Sequence, residues 1–197
     1  MKALLIILIS IFINSISIAQ DNSEGAIKLK DGTLIYQNNK NPFTITLIGD
    51  INLSNYPIIG INGNLFEYSY GVSNKFGKTE KEILINFMKW EVDYLNKTTT
   101  KPIKSETSFM TENNLLINFW NFTNPALVND EQFNRRAFYA DFYYKGYVYR
   151  FCFMAFKGTK EEANNTLINY INKVYFYDEL INITKLQDAI RQGKNHY

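Results

Sequence analysis

Residues 71–82 read GVSNKFGKTEKE and hold Gly77-Lys78-Thr79, the three residue types that close a phosphate-binding P-loop. That chemistry needs G-x-x-x-x-G-K-[ST], because the spacing lets backbone N–H groups wrap the phosphates while Lys reaches the terminal ones. Here five residues separate Gly71 from Gly77, and Val72 stands where the first Gly belongs. Thr79-Glu80-Lys81-Glu82 reads instead as a capping box, in which the Thr hydroxyl and the Glu82 carboxylate satisfy N–H groups that a helix start leaves unpaired. Thr159-Lys160-Glu161-Glu162 repeats the pattern after Gly158. Both stretches are predicted to start helices, and no nucleotide is expected.

The remaining reactive residue types are few. His196 is the single histidine and the penultimate residue. Terminal residues are usually frayed, which disfavours a Ser-His-Asp or Cys-His relay and removes the usual zinc and iron ligands. Cys152 is the single cysteine, so no intrachain disulfide can form. It sits among Phe151, Phe153 and Met154 in a predicted strand and reads as an inert apolar thiol. Paired carboxylates could serve a hydrolase. Of the candidates, Glu80, Glu82, Glu161 and Glu162 are accounted for by capping and by the helix dipole. Glu91 and Asp93 read as a solvated helix face, and Asp141 as the cross-strand ion-pair partner of Arg150. No catalytic residue, cofactor or metal is therefore assigned.

Binding chemistry is concentrated in 138–156, FYADFYYKGYVYRFCFMAF. A two-residue turn at Lys145-Gly146 pairs Tyr144 with Tyr147, Phe142 with Tyr149 and Asp141 with Arg150. One face then carries Phe138, Ala140, Phe142, Tyr149, Phe151 and Phe153, an aromatic floor for a core. The other carries Tyr139, Asp141, Tyr143 and Arg150, a candidate set able to stack on a sugar ring or on a partner's side chains. The competing reading is that a helix covers this face. Aromatics at strand spacing usually pack, and the balance favours packing.

The elements that must position these residues follow from periodicity. Strands are predicted at 27–29 and 34–36, around a turn at Lys30-Asp31-Gly32-Thr33, and at 43–48. A loop over 50–63 leads to a strand at 65–70. The helix at 79–95 places Ile83, Leu84, Phe87, Met88 and Leu95 on one stripe. Strands at 106–110 and 115–122 and a polar loop at 124–134 precede the aromatic hairpin. A second helix is predicted over 159–173, a short edge strand over 174–177 and a weak last helix over 182–192.

Residues 1–19 read as a signal peptide: Lys2, an apolar run, and Ser17-Ile18-Ala19 before Gln20. Residues 20–178 are expected to form one α+β domain and 179–197 a C-terminal helical tail. The chain is 46% hydrophobic and 16% aromatic, a globular composition. Its formal charge is +2, or +1 once Lys2 leaves with the leader, which gives no electrostatic reason to expect nucleic acid. Beyond the leader, no stretch is long and apolar enough to span a membrane.

The helix at 79–95, the hairpin YADFYYKGYVYRFCFMAF and the stretch GTKEEANNTLINYINKVYF together resemble the PsbP/Mog1-like α+β fold in the order of their elements. The resemblance implies an antiparallel sheet packed against two main helices and a role as an accessory or binding module. It carries no functional residue. The expectation is a periplasmic or secreted non-catalytic protein that binds another, unidentified envelope or secreted protein. A small-ligand or glycan binder using the Tyr139, Tyr143 and Arg150 face is the alternative, and a carboxylate hydrolase the third reading.

Overall fold

The computed structural model describes residues 25–29, 33–37, 41–55, 58–98, 102–123, 136–155, 158–194 and 196. The expected signal peptide, the turn residues 30–32 and the loop 124–134 lie outside the described residues.

Among the described residues, eleven strands and three helices follow in chain order. They are β1 (Gly25–Lys28), β2 (Thr33–Gln37), β3 (Phe43–Thr46), β4 (Ile51–Asn55), β5 (Ile58–Ile61), β6 (Asn64–Val72), α1 (Glu80–Thr98), β7 (Lys104–Glu112), β8 (Leu115–Thr123), β9 (Arg136–Tyr144), β10 (Tyr147–Ala155), α2 (Lys160–Ile171), β11 (Val174–Phe176) and α3 (Ile183–Arg191). The chain has the α+β class read from the sequence, with every strand pairing antiparallel. The strands divide between two sheets: a four-stranded one ordered β1-β2-β3-β11 and a seven-stranded one ordered β4-β5-β6-β10-β9-β8-β7. Within the stretch 50–63, expected as a loop, β4 and β5 pair antiparallel instead. Their register shifts between Asn52 and Asn55, which hides the alternation that would mark a strand.

The starts of α1 and α2 are capping boxes. Glu82 N–H donates to Thr79 Oγ1 at 3.3 Å, and Thr79 N–H donates to Glu82 Oε2 at 3.2 Å. The second box is tighter on one side, where Thr159 N–H donates to Glu162 Oε2 at 2.7 Å. The same packing explains Gly77. A Cβ there would stand 2.8 Å from Glu82 Cβ and 3.1 Å from Ile83 N, so the glycine makes room for the helix start. The resemblance to GKT is thus a by-product of capping.

The larger sheet is covered on both faces. Its inner face presents Phe66, Phe119, Phe142, Tyr149 and Phe151 to Leu34, Tyr36, Phe43 and Ile45 of the smaller sheet and to Ala163, Leu167 and Ile171 of α2. Its outer face presents Trp120, Phe122, Tyr139 and Cys152 to Met88 and Leu95 of α1, with Val148 against Leu84 and Phe87. On the far side of the smaller sheet, Ile35 packs on Leu186 of α3 and on Ile181. The strand expected to edge a single sheet, β11, pairs with β3 and so edges the smaller one. Removing this much apolar surface from water, at about 25 cal/mol per Å², is the main force holding the layers together.

A buried charge cluster and a half-exposed aromatic platform

The β9–β10 register places Asp141 opposite Arg150, as the two-residue turn requires. Lys145 (φ 44°) and Gly146 (φ 88°) adopt the paired left-handed conformations of that turn. Arg150 Nε donates to Asp141 Oδ1 at 2.8 Å and its Nη2 to Oδ2 at 3.0 Å, a side-on pair that fixes the guanidinium plane. Trp120 Nε1, from β8, adds a third donor to Asp141 Oδ2 at 2.7 Å.

α1 closes over this pair. Glu91 Oε1 lies 2.9 Å from Arg150 Nη1, with side chains 1% and 2% exposed. The contact is at ion-pair distance but off hydrogen-bond alignment, so both Glu91 oxygens and Arg150 Nη1 make no hydrogen bond among the described residues. Aromatic rings surround the guanidinium: Arg150 Cζ stands 4.5 Å from the Phe87 ring centre, 5.1 Å from Trp120 and 5.2 Å from Tyr139. Trp120 and Tyr139 stack at 4.1 Å with planes 14° apart. A weakly hydrated planar cation suits such a cage.

The site read from the sequence as Tyr139, Asp141, Tyr143 and Arg150 is therefore not an exposed patch. Tyr139, Asp141 and Arg150 are buried, and Tyr143 is half-buried beside the cluster of Phe76, Phe87 and Val148. The covering helix that competed with the binding reading is α1. Glu91 also corrects the sequence reading: it faces the sheet, one turn from Phe87 and Leu95 and two turns from Leu84. Asp93 stays exposed.

Titration follows burial. Against burial, which favours the neutral form, the carboxylates of Asp141 and Glu91 hold Arg150 above its ordinary value. Burial raises Glu91, with Arg150 opposing and Asp141 reinforcing the rise. Glu67 on β6, opposite Cys152 on β10, is half-buried. Burial pushes its carboxyl up to about 7, with Arg150 opposing and Glu91 adding to the rise. Burial likewise pushes the Cys152 thiol far above its ordinary value, as an inert thiol requires. Among the described residues no group of three His, Cys, Asp or Glu side chains is placed to hold a metal ion.

Sequence periodicity points less directly to a second feature, on the inner face at the β9–β10 turn. Tyr70, Tyr144, Tyr147 and Phe176 are half-buried there. Tyr144 stacks on Phe176 at 4.0 Å, Tyr70 meets Tyr147 edge-on at 5.9 Å, and Tyr70 stacks on the buried Tyr149 at 5.8 Å. The ion pair of Lys145 and Asp178 borders this platform. The signal was the period of two shared by Tyr68 and Tyr70 with Tyr147 and Tyr149, which puts all four on one face, and the register across β6 and β10 sets Tyr70 beside Tyr149.

No family model matches the chain, and no curated protein matches it. Among solved structures, the chain is similar to the solution structure of cyanobacterial PsbP (CyanoP) from Synechocystis sp. PCC 6803, at 10% identity and a TM-score of 0.44, over 82% of this chain and 98% of that one. The likeness concerns the fold, and no residue role is taken from it. No described helix is long and apolar enough to cross a membrane.

Proposed function

We propose that this protein is an exported, non-catalytic accessory protein that binds another protein of the cell envelope through the platform of Tyr70, Tyr144, Tyr147 and Phe176. The observation that carries this reading is that the four rings are half-exposed yet already fixed by stacking on one another and on Tyr149. Aromatic side chains dominate the energetics of protein interfaces, and rings held in place lose little further freedom on docking. The side chains best equipped for acid–base or thiol chemistry support the same reading: Arg150, Asp141, Glu91 and Cys152 are consumed in the interior. Export rests on the leader read in residues 1–19.

The test is affinity capture from an envelope extract with the wild-type protein and with Tyr70→Ala/Tyr147→Ala, both checked for native circular dichroism. One partner retained stoichiometrically by the wild type and lost by the double variant is the expected result. Equal retention by both, or no partner over repeated captures, overturns the platform reading. Thermal stabilisation by an oligosaccharide panel, absent in the double variant, would assign the rings to a sugar instead.

A further inference from the structure

Among the described residues the seven-stranded sheet ends at one side on β7, which pairs with β8 alone. Exposed edges are normally kept short, bulged or covered, because their outward N–H and C=O groups accept any extended chain. The other described edges obey that rule. β1 has four residues, β11 has three, and β4 has five with a register shift. β7 does not. It runs nine residues, Lys104 to Glu112, in unbroken register with β8. It contains no Pro and no Gly, and Lys104 to Ser108 are all exposed, on both faces of the strand.

Its sequence, KSETSFMTE, is self-complementary when laid antiparallel to a second copy about Ser108. Lys104 then stands opposite Glu112 at both ends, Ser105 opposite Thr111, Glu106 opposite Met110 and Thr107 opposite Phe109. Lys104 and Glu112 lie on the same face of the strand, so each pair can close. Neighbouring registers fail. A shift of two residues one way sets Glu106 against Glu112, and a shift of two the other way leaves Glu112 facing Pro102, outside the strand. Slips by one place opposing side chains on opposite faces. We propose that β7 is a homodimer interface, joining two copies of this chain edge to edge about a two-fold axis at Ser108, with reciprocal Lys104–Glu112 pairs setting the register. This proposal is independent of the aromatic platform and of any envelope partner.

The test is sedimentation equilibrium of the purified protein and of charge variants on β7. The wild type is expected to dimerise. Lys104→Glu and Glu112→Lys, each setting like charges together twice, are expected to weaken the dimer about tenfold or more. The double variant K104E/E112K restores it. An equimolar mixture of the two single variants also restores it, as a heterodimer. A protein that stays monomeric up to about millimolar concentration overturns the proposal. So does a dimer indifferent to both single variants, which would use another surface. A monomer whose affinity for a captured partner falls on Lys104→Glu would reassign the edge to that partner, and this too overturns self-pairing.

Discussion

Glu91 of α1 reaches across to Arg150 of β10, 2.9 Å apart, where neither side chain is more than 2% exposed. The helix is thus fastened to the sheet by an acid that meets the guanidinium without hydrogen-bond alignment, while Asp141 holds the same guanidinium from within the sheet through two aligned bonds. The asymmetry separates two roles. Asp141 accepts the hydrogen bonds of Nε and Nη2, and Glu91 balances charge beside Nη1.

Removing the cation leaves two buried carboxylates without a counter-charge. Arg150→Met should cost about 3–5 kcal/mol in urea unfolding. In that background Glu91→Gln should raise stability, because the lone acid has only a desolvation penalty left. Equal effects of Glu91→Gln in both backgrounds would show that the two groups are not coupled.

Glu67 gives the molecule a pH dependence of definite sign. Its carboxyl titrates near 7 in the fold against an ordinary 4.5, so the folded state holds the proton more tightly. Its contribution is fully present below pH 4.5 and is lost as pH rises through 7. The groups facing it are Cys152 and Arg150 on β10, Tyr139 on β9 and Glu91 on α1. The slope is at most about 1.4 kcal/mol per pH unit. Glu67→Gln should flatten the difference between urea midpoints measured at about pH 5 and about pH 8. An unchanged difference would place the titration elsewhere.

Trp120 tests the donor side of the cluster. Trp120→Phe keeps a ring against Tyr139 but removes the Nε1–H donated to Asp141. The expected loss is about 1–3 kcal/mol, read as a lower thermal midpoint. A variant of wild-type stability would mean that Arg150 alone satisfies Asp141.

The capping boxes make a paired prediction. Thr79→Ala and Thr159→Ala should each cost about 1 kcal/mol, since each removes one acceptor from a helix start. Neither the wild type nor Thr79→Ala should be stabilised by Mg-ATP in a thermal shift assay. Stabilisation of the wild type alone would restore the phosphate-loop reading of Gly77-Lys78-Thr79.

The hairpin register was legible because Lys145-Gly146 demands a two-residue turn, and that turn fixes every pairing from Tyr144–Tyr147 to Ala155–Arg136. The caps were legible because their spacing is short and local. Glu91 was misread although the pattern held it: position 91 falls on the stripe of 84, 87, 88 and 95, and the charge outweighed the period. The division into two sheets left no local mark, because alternation tells which face a residue takes and not which sheet its strand joins. The β4–β5 pairing was hidden by Asn52, Ser54 and Asn55, polar residues on a shifted register. The aromatic platform depends on which Tyr rings the second sheet leaves partly uncovered, a fact of layer packing that no window of sequence contains.

The strand orders bear on the timing of folding. Phe66 finds its partner in Phe153, and Ile45 finds its partner in Val174, so each sheet joins an early segment to a late one. Such distant pairings close large loops and form slowly. A chain still short of residue 147 lacks β10, the strand that joins β6 to β9, and can assemble neither the Arg150 cluster nor the aromatic inner face. The latch between Glu91 and Arg150 thus waits on β10: α1 gains its buried anchor only once residues 147–155 of the 197 are present.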